Sequence, residues 1–233
     1  MLLEICIDHP ASALAAVRGG ADRLEVCTNL AEGGTTPSAG LIRFCAGLPI
    51  PSMVMIRPRA GHFCYDQQEL AVMEEEIRLA KEYGVQGVVF GVLNESNQID
   101  HPALERLVRI ATPMQITFHR AFDRVSAPKQ AMEQLIDAGV QRILTSGQAP
   151  TALSGSHLLK QLIAQAENRI IVMPGAGVRS HNVAEIIHAT GAHEIHGSAS
   201  KATAREDDDM QTYRMTDEDE VKAIKEILHQ LNH

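Results

Sequence analysis

The sequence predicts an α/β protein, a single (β/α)8 TIM-like barrel domain over residues 1–233, and three observations predict it. Apolar strand-like runs alternate with helix-like runs from end to end, eight pairs in all. Helices repeatedly close on glycine just before the next strand, at Gly20-Ala21-Asp22, Gly84-Val85-Gln86, Gly139-Val140-Gln141 and Gly191-Ala192-His193. Glycine there supplies the left-handed residue that ends a helix, so similar joints read as one repeated unit. The turn after the first strand, Asp8-His9-Pro10, lacks the glycines that usually open a doubly wound sheet. Eight units in a chain of 233 residues fit a barrel.

The elements follow in order. The strand at 2–7 leads to an alanine-rich helix at 10–18, with Pro10 suited to its first turn. The strand at 23–28 leads to a helix at 37–48, again opened by proline. The strand at 52–57 stops at Pro58 and precedes a charged amphipathic helix at 67–83. Strand 87–93 pairs with helix 102–111, strand 115–119 with helix 128–138, and strand 142–146 with helix 155–167. Strand 169–173 pairs with helix 180–190, and strand 194–198 with a last helix at 217–231 that Thr216 is expected to cap. Between these last two lies a polar segment, 201–215, holding Glu206-Asp207-Asp208-Asp209. An acidic run of this kind reads as a solvated, mobile arm rather than a metal site.

Side chains alternate along a barrel strand between the interior and the helix layer, and the helix layer takes branched apolar residues. That turns Leu3, Ile5, Ile7, Leu24, Val26, Val54, Ile56, Ile116, Phe118 and Ile195 outward. It turns Glu4, Cys6, Glu25, Cys27, Met53, Met55, Arg57, Thr117, His119 and His196 inward. The sixth and seventh strands are apolar on both faces, and their parity cannot be read. A charge inside a strand is expensive unless paired or used. Repeated over several strands, that expense points to a polar cluster where the strands converge, at their C-terminal ends.

Composition excludes several function classes. A net charge of −8 and three Tyr, five Phe and no Trp argue against nucleic-acid binding. No apolar run approaches the roughly 18 residues of a membrane span, and the chain opens directly on a strand pattern rather than a signal peptide. The four cysteines show no C-x-x-C pair, so reduced thiols in a cytoplasm are expected. No lysine falls in a strand, which argues against a Schiff-base aldolase.

Several motifs resemble the copper homeostasis protein CutC family: Glu4-Ile5-Cys6, the run Gly20 to Cys27, Glu32-Gly33-Gly34-Thr35-Thr36-Pro37-Ser38, Ile56-Arg57-Pro58-Arg59, Phe63-Cys64-Tyr65, the run Thr117 to Asp123, Leu144-Thr145-Ser146-Gly147 and Gly175-Ala176-Gly177. They occur in order over roughly the whole chain. The resemblance implies a TIM-like barrel, a cytoplasmic location, a homodimer and copper binding, and it leaves the biochemical activity open.

Three constellations are candidates for the chemistry. Cys6 and Cys27 lie near the ends of adjacent strands, about 4.8 Å apart, on one face. Two thiolates there suit Cu(I), with Met53 or Met55 as a third donor, although buried cysteine also packs as a small hydrophobe. Glu4, Glu25, Arg57, His119 and Asp123 read as a structural ion-pair network with Glu buried against Arg, or else as an acid–base site, with His119 moving the proton and Glu25 or Asp123 as its partner. Ser146, Gly147, Gly175, Ala176, Gly177 and Ser198 read as an anion site in the loops after the later strands, with Arg59, on the loop after the third strand, as a second anion clamp. Two functions therefore stand side by side. One is a copper-binding CutC-type protein with no other cofactor. The other is a metal-independent barrel enzyme acting on a small phosphate or carboxylate metabolite.

Overall fold

The computed structural model describes residues 1–203 and 213–231. Eight parallel strands form one sheet: β1 (Leu2–Ile7), β2 (Arg23–Val26), β3 (Ser52–Met55), β4 (Gly87–Phe90), β5 (Gln115–Phe118), β6 (Arg142–Thr145), β7 (Ile171–Pro174) and β8 (Glu194–Gly197). The order β7-β6-β5-β4-β3-β2-β1-β8 and the contact between β7 and β8 bring the ends of the sheet together as a (β/α)8 barrel. Around it run α1 (Pro10–Arg18), α2 (Ala39–Ala46), α3 (Gln67–Glu82), α4 (His101–Ala111), α5 (Pro128–Asp137), α6 (Ser156–Ala166), α7 (Val183–Thr190) and α8 (Glu218–Gln230). Among the described residues, no helix is long and apolar enough to cross a membrane.

Alternation along the strands builds two cores. Leu3, Ile5, Ile7, Leu24, Val26, Val54, Ile56, Ile116, Phe118 and Ile195 belong to the large outer core under the helices. Inside the barrel, Cys27, Met53, Met55 and Val89 form a small apolar plug. The parity unreadable from sequence resolves here as well, because Ile143 and Val172 join the outer core. That leaves Arg142, Leu144 and Met173 to the interior.

Some boundaries differ from the sequence reading, each for a local reason. The second helix starts at Ala39 rather than at Pro37, because the Ser38 side chain accepts from the Leu41 N–H and caps it. The seventh starts at Val183, since Ser180 is drawn off to Glu220 of α8 through its N–H (2.8 Å) and its hydroxyl (2.9 Å). Asp217, not Thr216, caps α8, accepting from the Asp219 N–H at 3.3 Å. Thr216 ends a short strand instead. Two such strands, β9 (Ser200–Ala202) and β10 (Arg214–Thr216), pair antiparallel at the two ends of the 201–215 segment. The acidic run expected to be a mobile arm, 206–209, lies outside the described residues.

Candidate functional site

A column of alternating charges fills the barrel axis. Near the bottom, Arg142 and Arg23 both donate to Glu194 Oε2, each at 2.6 Å. Arg23 also donates through Nε to Glu4, whose side chain is wholly buried. Glu4 Oε1 accepts from His196 Nδ1 at 2.8 Å, and His196 Nε2 lies 3.7 Å from Glu25 Oε2. Glu25 Oε2 in turn accepts from the Cys27 thiol at 3.5 Å. Each charge sits between opposite ones, so the column is stable where a single buried charge would not be.

The column sets its own proton affinities. Burial alone would push Glu4 up, but the Arg23 guanidinium and His196 outweigh it and hold the carboxyl at about 2. Burial raises Glu25, and the nearby His196 offsets only part of that. His196 is held well above its ordinary value, since the negative groups around it, Glu25 first, outweigh the effect of burial. Burial and the Glu25 carboxylate push the Cys27 thiol well up. The upper end of the column therefore holds its protons tightly.

Strand register decides which thiol meets which group. Cys6 stands opposite Glu25, and Glu4 stands opposite His196. Cys6, Glu25 and His196 accordingly bring a sulfur, a carboxylate oxygen and an imidazole nitrogen within 4.8 Å of one another, all buried. Cys27 is set beyond this group, packed with Met53 and Met55 and linked to it through Glu25. Sequence reasoning gives Glu4 a place in an ion-pair network, though with Arg57 rather than Arg23, and turns His196 inward without a role. Their facing positions on β1 and β8 were the signal.

Arg57 and His119 form one wall of the cavity above the column. Arg57 Nη1 donates to the carbonyls of Glu32 (2.9 Å) and Gly34 (2.8 Å), and Nη2 to Gly61 (3.0 Å). Its guanidinium lies 5.0 Å from the Phe63 ring centre. Though only 5 % exposed, it makes no ion pair among the described residues, and its Nε has no hydrogen-bond partner. His119 packs on the same Phe63 ring, 4.9 Å between centres. Burial, with the Arg57 charge beside it, drops His119 to about 3, so it is neutral at physiological pH. Its Nδ1 accepts from the Ala121 N–H (3.2 Å), which places the proton on Nε2, a buried donor with no partner among the described residues.

Gly91 makes room for that ring: a Cβ there would lie 2.4 Å from His119 Nδ1 and 2.8 Å from the Ala121 Cβ. Gly91→Ala is expected to cost about 1–3 kcal/mol and to displace His119. The midpoint of urea unfolding reads the cost, and an unchanged midpoint would contradict this packing.

Other expected site residues are spent on the fold. Asp123 lines the cavity, yet both its oxygens are occupied. Oδ1 accepts from Thr145 Oγ1 (2.5 Å) and the Ser146 N–H (3.0 Å), and Oδ2 from Ser146 Oγ (3.0 Å) and Arg120 Nε (2.8 Å). The Gly147 N–H goes to Thr145 Oγ1 at 3.0 Å. Ser146 thus serves a carboxylate of the chain itself, and Gly147 serves the Thr145 hydroxyl that donates to it. Arg59 is off the cavity wall, bound to Glu69 and to the carbonyls of His62 and Cys64. The Gly175 N–H is taken by Thr145 O (3.0 Å), whereas Ala176, Gly177 and Ser198 do line the cavity. We expect Asp123→Asn to lower the melting temperature by several degrees, since about 1–3 kcal/mol goes with its charged hydrogen bonds. A thermal melt checks it, and an unchanged melt would deny Asp123 this structural role.

The cavity encloses about 1760 Å³ at the C-terminal face of the barrel, with Cys6, Glu25 and His196 on its floor. Sites of barrel proteins lie on this face. Comparison with known proteins then places the chain. Residues 1–201 match the CutC family. A human copper homeostasis protein cutC homolog is 49 % identical over 199 residues, 85 % of this chain and 73 % of that protein. A CutC family protein of Histophilus somni is 42 % identical over 243 residues, 99 % of this chain and all of that one. A crystal structure of the putative copper homeostasis protein CutC from Streptococcus agalactiae superposes with a TM-score of 0.81 at 36 % identity, covering 85 % of this chain and 98 % of that one. A thiamine phosphate pyrophosphorylase from Pyrococcus furiosus shares the fold alone, with a TM-score of 0.66 at 14 % identity over 100 % of this chain and 97 % of that one. The sulfur–nitrogen–oxygen floor of this barrel, and the motifs that build it, belong to a member of the CutC family.

Proposed function

We propose that this chain serves in copper homeostasis, as the names of its human and mouse relatives indicate, by taking a Cu(I) ion as cargo at the barrel floor. The observation that carries this reading is the convergence of Cys6, Glu25 and His196 within 4.8 Å. The donor chemistry fits: thiolate and imidazole suit copper, and Cys27 adds a second sulfur behind Glu25. Ionised Glu4 and its neighbours favour a cation there, so an arriving ion replaces protons the cluster already holds. All four cysteines are free, which suits a reducing cytoplasm.

The test is a Cu(I) titration of fully reduced protein against a competing chelator. Cys6→Ser is expected to weaken binding at least about 100-fold, and His196→Gln at least about 10-fold. Equal binding by wild type and Cys6→Ser would end the thiol reading.

A second reading has its own observation. Arg57, buried without a carboxylate, and the unpartnered His119 Nε2–H face one cavity. That pair is built to hold a small anionic metabolite above Glu25 and His196. In this reading Glu25 and His196 exchange the proton, while His119 donates a hydrogen bond. Loss of metabolite binding in Arg57→Ala and His119→Ala, with Cu(I) binding intact, would support it. Retained metabolite binding in both would remove it.

A further inference from the structure

Away from Arg57 and His119, the cavity is lined by two further arginines with no carboxylate, Arg179 and Arg214. Arg179 Nη2 donates to the Ser200 carbonyl at 2.7 Å, and Arg214 Nη2 donates to the same oxygen at 2.6 Å. Arg214 Nε also donates to Ser200 Oγ at 3.0 Å, and that hydroxyl lies 3.0 Å from Ser198 Oγ. Neither guanidinium makes an ion pair among the described residues, and both line the cavity. Two like charges drawn to one neutral oxygen repel each other unless an anion lies between or beside them.

The backbone beside them is turned the same way. The carbonyls of Ala176 and Gly177, on the loop after β7, accept from the Ala152 N–H (3.0 Å) and Asn182 Nδ2 (2.8 Å). The carbonyl of Ser198, on the loop after β8, accepts from Thr216 Oγ1 (3.4 Å). In a trans peptide the following N–H points opposite to the carbonyl. The N–H groups of Gly177, Val178 and Ala199 are therefore aimed the other way, and no acceptor takes them among the described residues. Holding them so requires left-handed backbone at two alanines, Ala176 (φ 83°) and Ala199 (φ 44°). Strain of this sort at a non-glycine residue marks a loop shaped for a ligand.

We infer that Arg179, Arg214 and these loop N–H groups form a binding site for the phosphate of a phosphate monoester. Two guanidiniums match a dianion, and unpaired backbone donors supply short contacts to its oxygens. The size and position of the cavity let the rest of such a molecule lie over the barrel floor. Arg214 lies beyond residues 1–201, the part that matches the family model, so the site joins the barrel to the C-terminal segment. It does not depend on Cu(I) at Cys6 or on any anion at Arg57.

The experiment titrates the full-length protein with glycerol 3-phosphate and with inorganic phosphate by calorimetry, at low and moderate salt. Variants are Arg179→Gln, Arg214→Gln, both together, and Arg57→Gln and Cys6→Ser for comparison. Wild type is expected to bind the monoester. Each single variant should weaken binding at least tenfold and the double variant about a hundredfold, with far-ultraviolet dichroism unchanged. Cys6→Ser should bind like wild type, which separates this site from the copper reading. Should Arg179→Gln fail to fold, Arg214→Gln alone decides, because Arg214 is exposed at the mouth. No binding by wild type at millimolar ligand, or equal binding by the double variant, overturns the inference. So does loss of binding in Arg57→Gln alone.

Discussion

Arg23→Met is expected to destabilise the protein by about 3–5 kcal/mol, the largest loss from any single substitution considered. Arg23 is the shared cation of two carboxylates, and its side chain is 5 % exposed. Removing it strands Glu4, which is wholly buried, with His196 as its only cation among the described residues. Glu194 suffers less because Arg142 also reaches it at 2.6 Å. A buried carboxylate that loses its cation must keep an expensive charge or take up a proton. The urea midpoint at pH 7 measures the loss. A companion variant isolates the cause: Glu4→Leu with Arg23→Met removes both halves of the pair and should restore much of the stability. If Arg23→Met costs under about 1 kcal/mol, or if the double variant is as weak as the single, the column is not what holds the barrel axis.

Much of this fold was legible because period-2 alternation survives in strands that also carry charges. Leu3, Ile5 and Ile7 outward with Glu4 and Cys6 inward is a pattern that only a half-polar strand produces, and the core confirms it. The same parity puts Arg23 inward with Glu25, although the inward set read from the second strand begins only at Glu25. Arg142 was hidden because β6 is apolar on both faces. The strands β9 and β10 were not legible at all. Three residues each, Ser200-Lys201-Ala202 and Arg214-Met215-Thr216, give no periodicity to read, and their pairing crosses a long connection. Thr216 and Asp217 are adjacent capping residues, and only the ladder to β9 tells which one is free to cap.

The site was legible by residue type and not by partner. Sequence turned Cys6, Cys27, Glu25, His119 and His196 inward. It does not encode register, and register puts Glu25 opposite Cys6 while setting Cys27 one step beyond. Partners distant in sequence were equally invisible. Nothing near Asp123 announces that Thr145, Ser146 and Gln148 converge on it. Arg57 and Arg59 look equivalent in Ile56-Arg57-Pro58-Arg59. Yet Arg59 meets Glu69 on α3, while Arg57 meets only carbonyls.

His119 leads to the second large expectation, a steep acid limb in stability. Its folded value, about 3, lies below the ordinary 6.5. As pH falls from 6.5 toward 3, the unfolded chain binds a proton that the folded protein refuses. Stability therefore drops with pH, by about 1.4 kcal/mol per unit and about 5 kcal/mol at most. Glu4 adds to this only lower down. Its folded value is about 2 against 4.5 unfolded, so its contribution is present above 4.5 and is lost between 4.5 and 2. His196 has the opposite sign. Raised above 6.5, it contributes fully below that value and loses stability as pH rises past it. Between pH 6.5 and 4.5, then, the slope belongs to His119, opposed by Glu25 and Glu76, whose carboxyls are raised by burial so that each makes stability improve toward acid. His119→Asn keeps a polar side chain, smaller than the imidazole, that cannot titrate. Unfolding free energies of wild type and His119→Asn, taken across that window with metal chelated, should diverge by about 2 kcal/mol in their change from pH 6.5 to 4.5. Parallel curves would mean that the folded protein lets His119 take a proton as readily as the unfolded chain does. The ring would then turn cationic beside Arg57 in mild acid, and its Nδ1 could no longer accept from the Ala121 N–H.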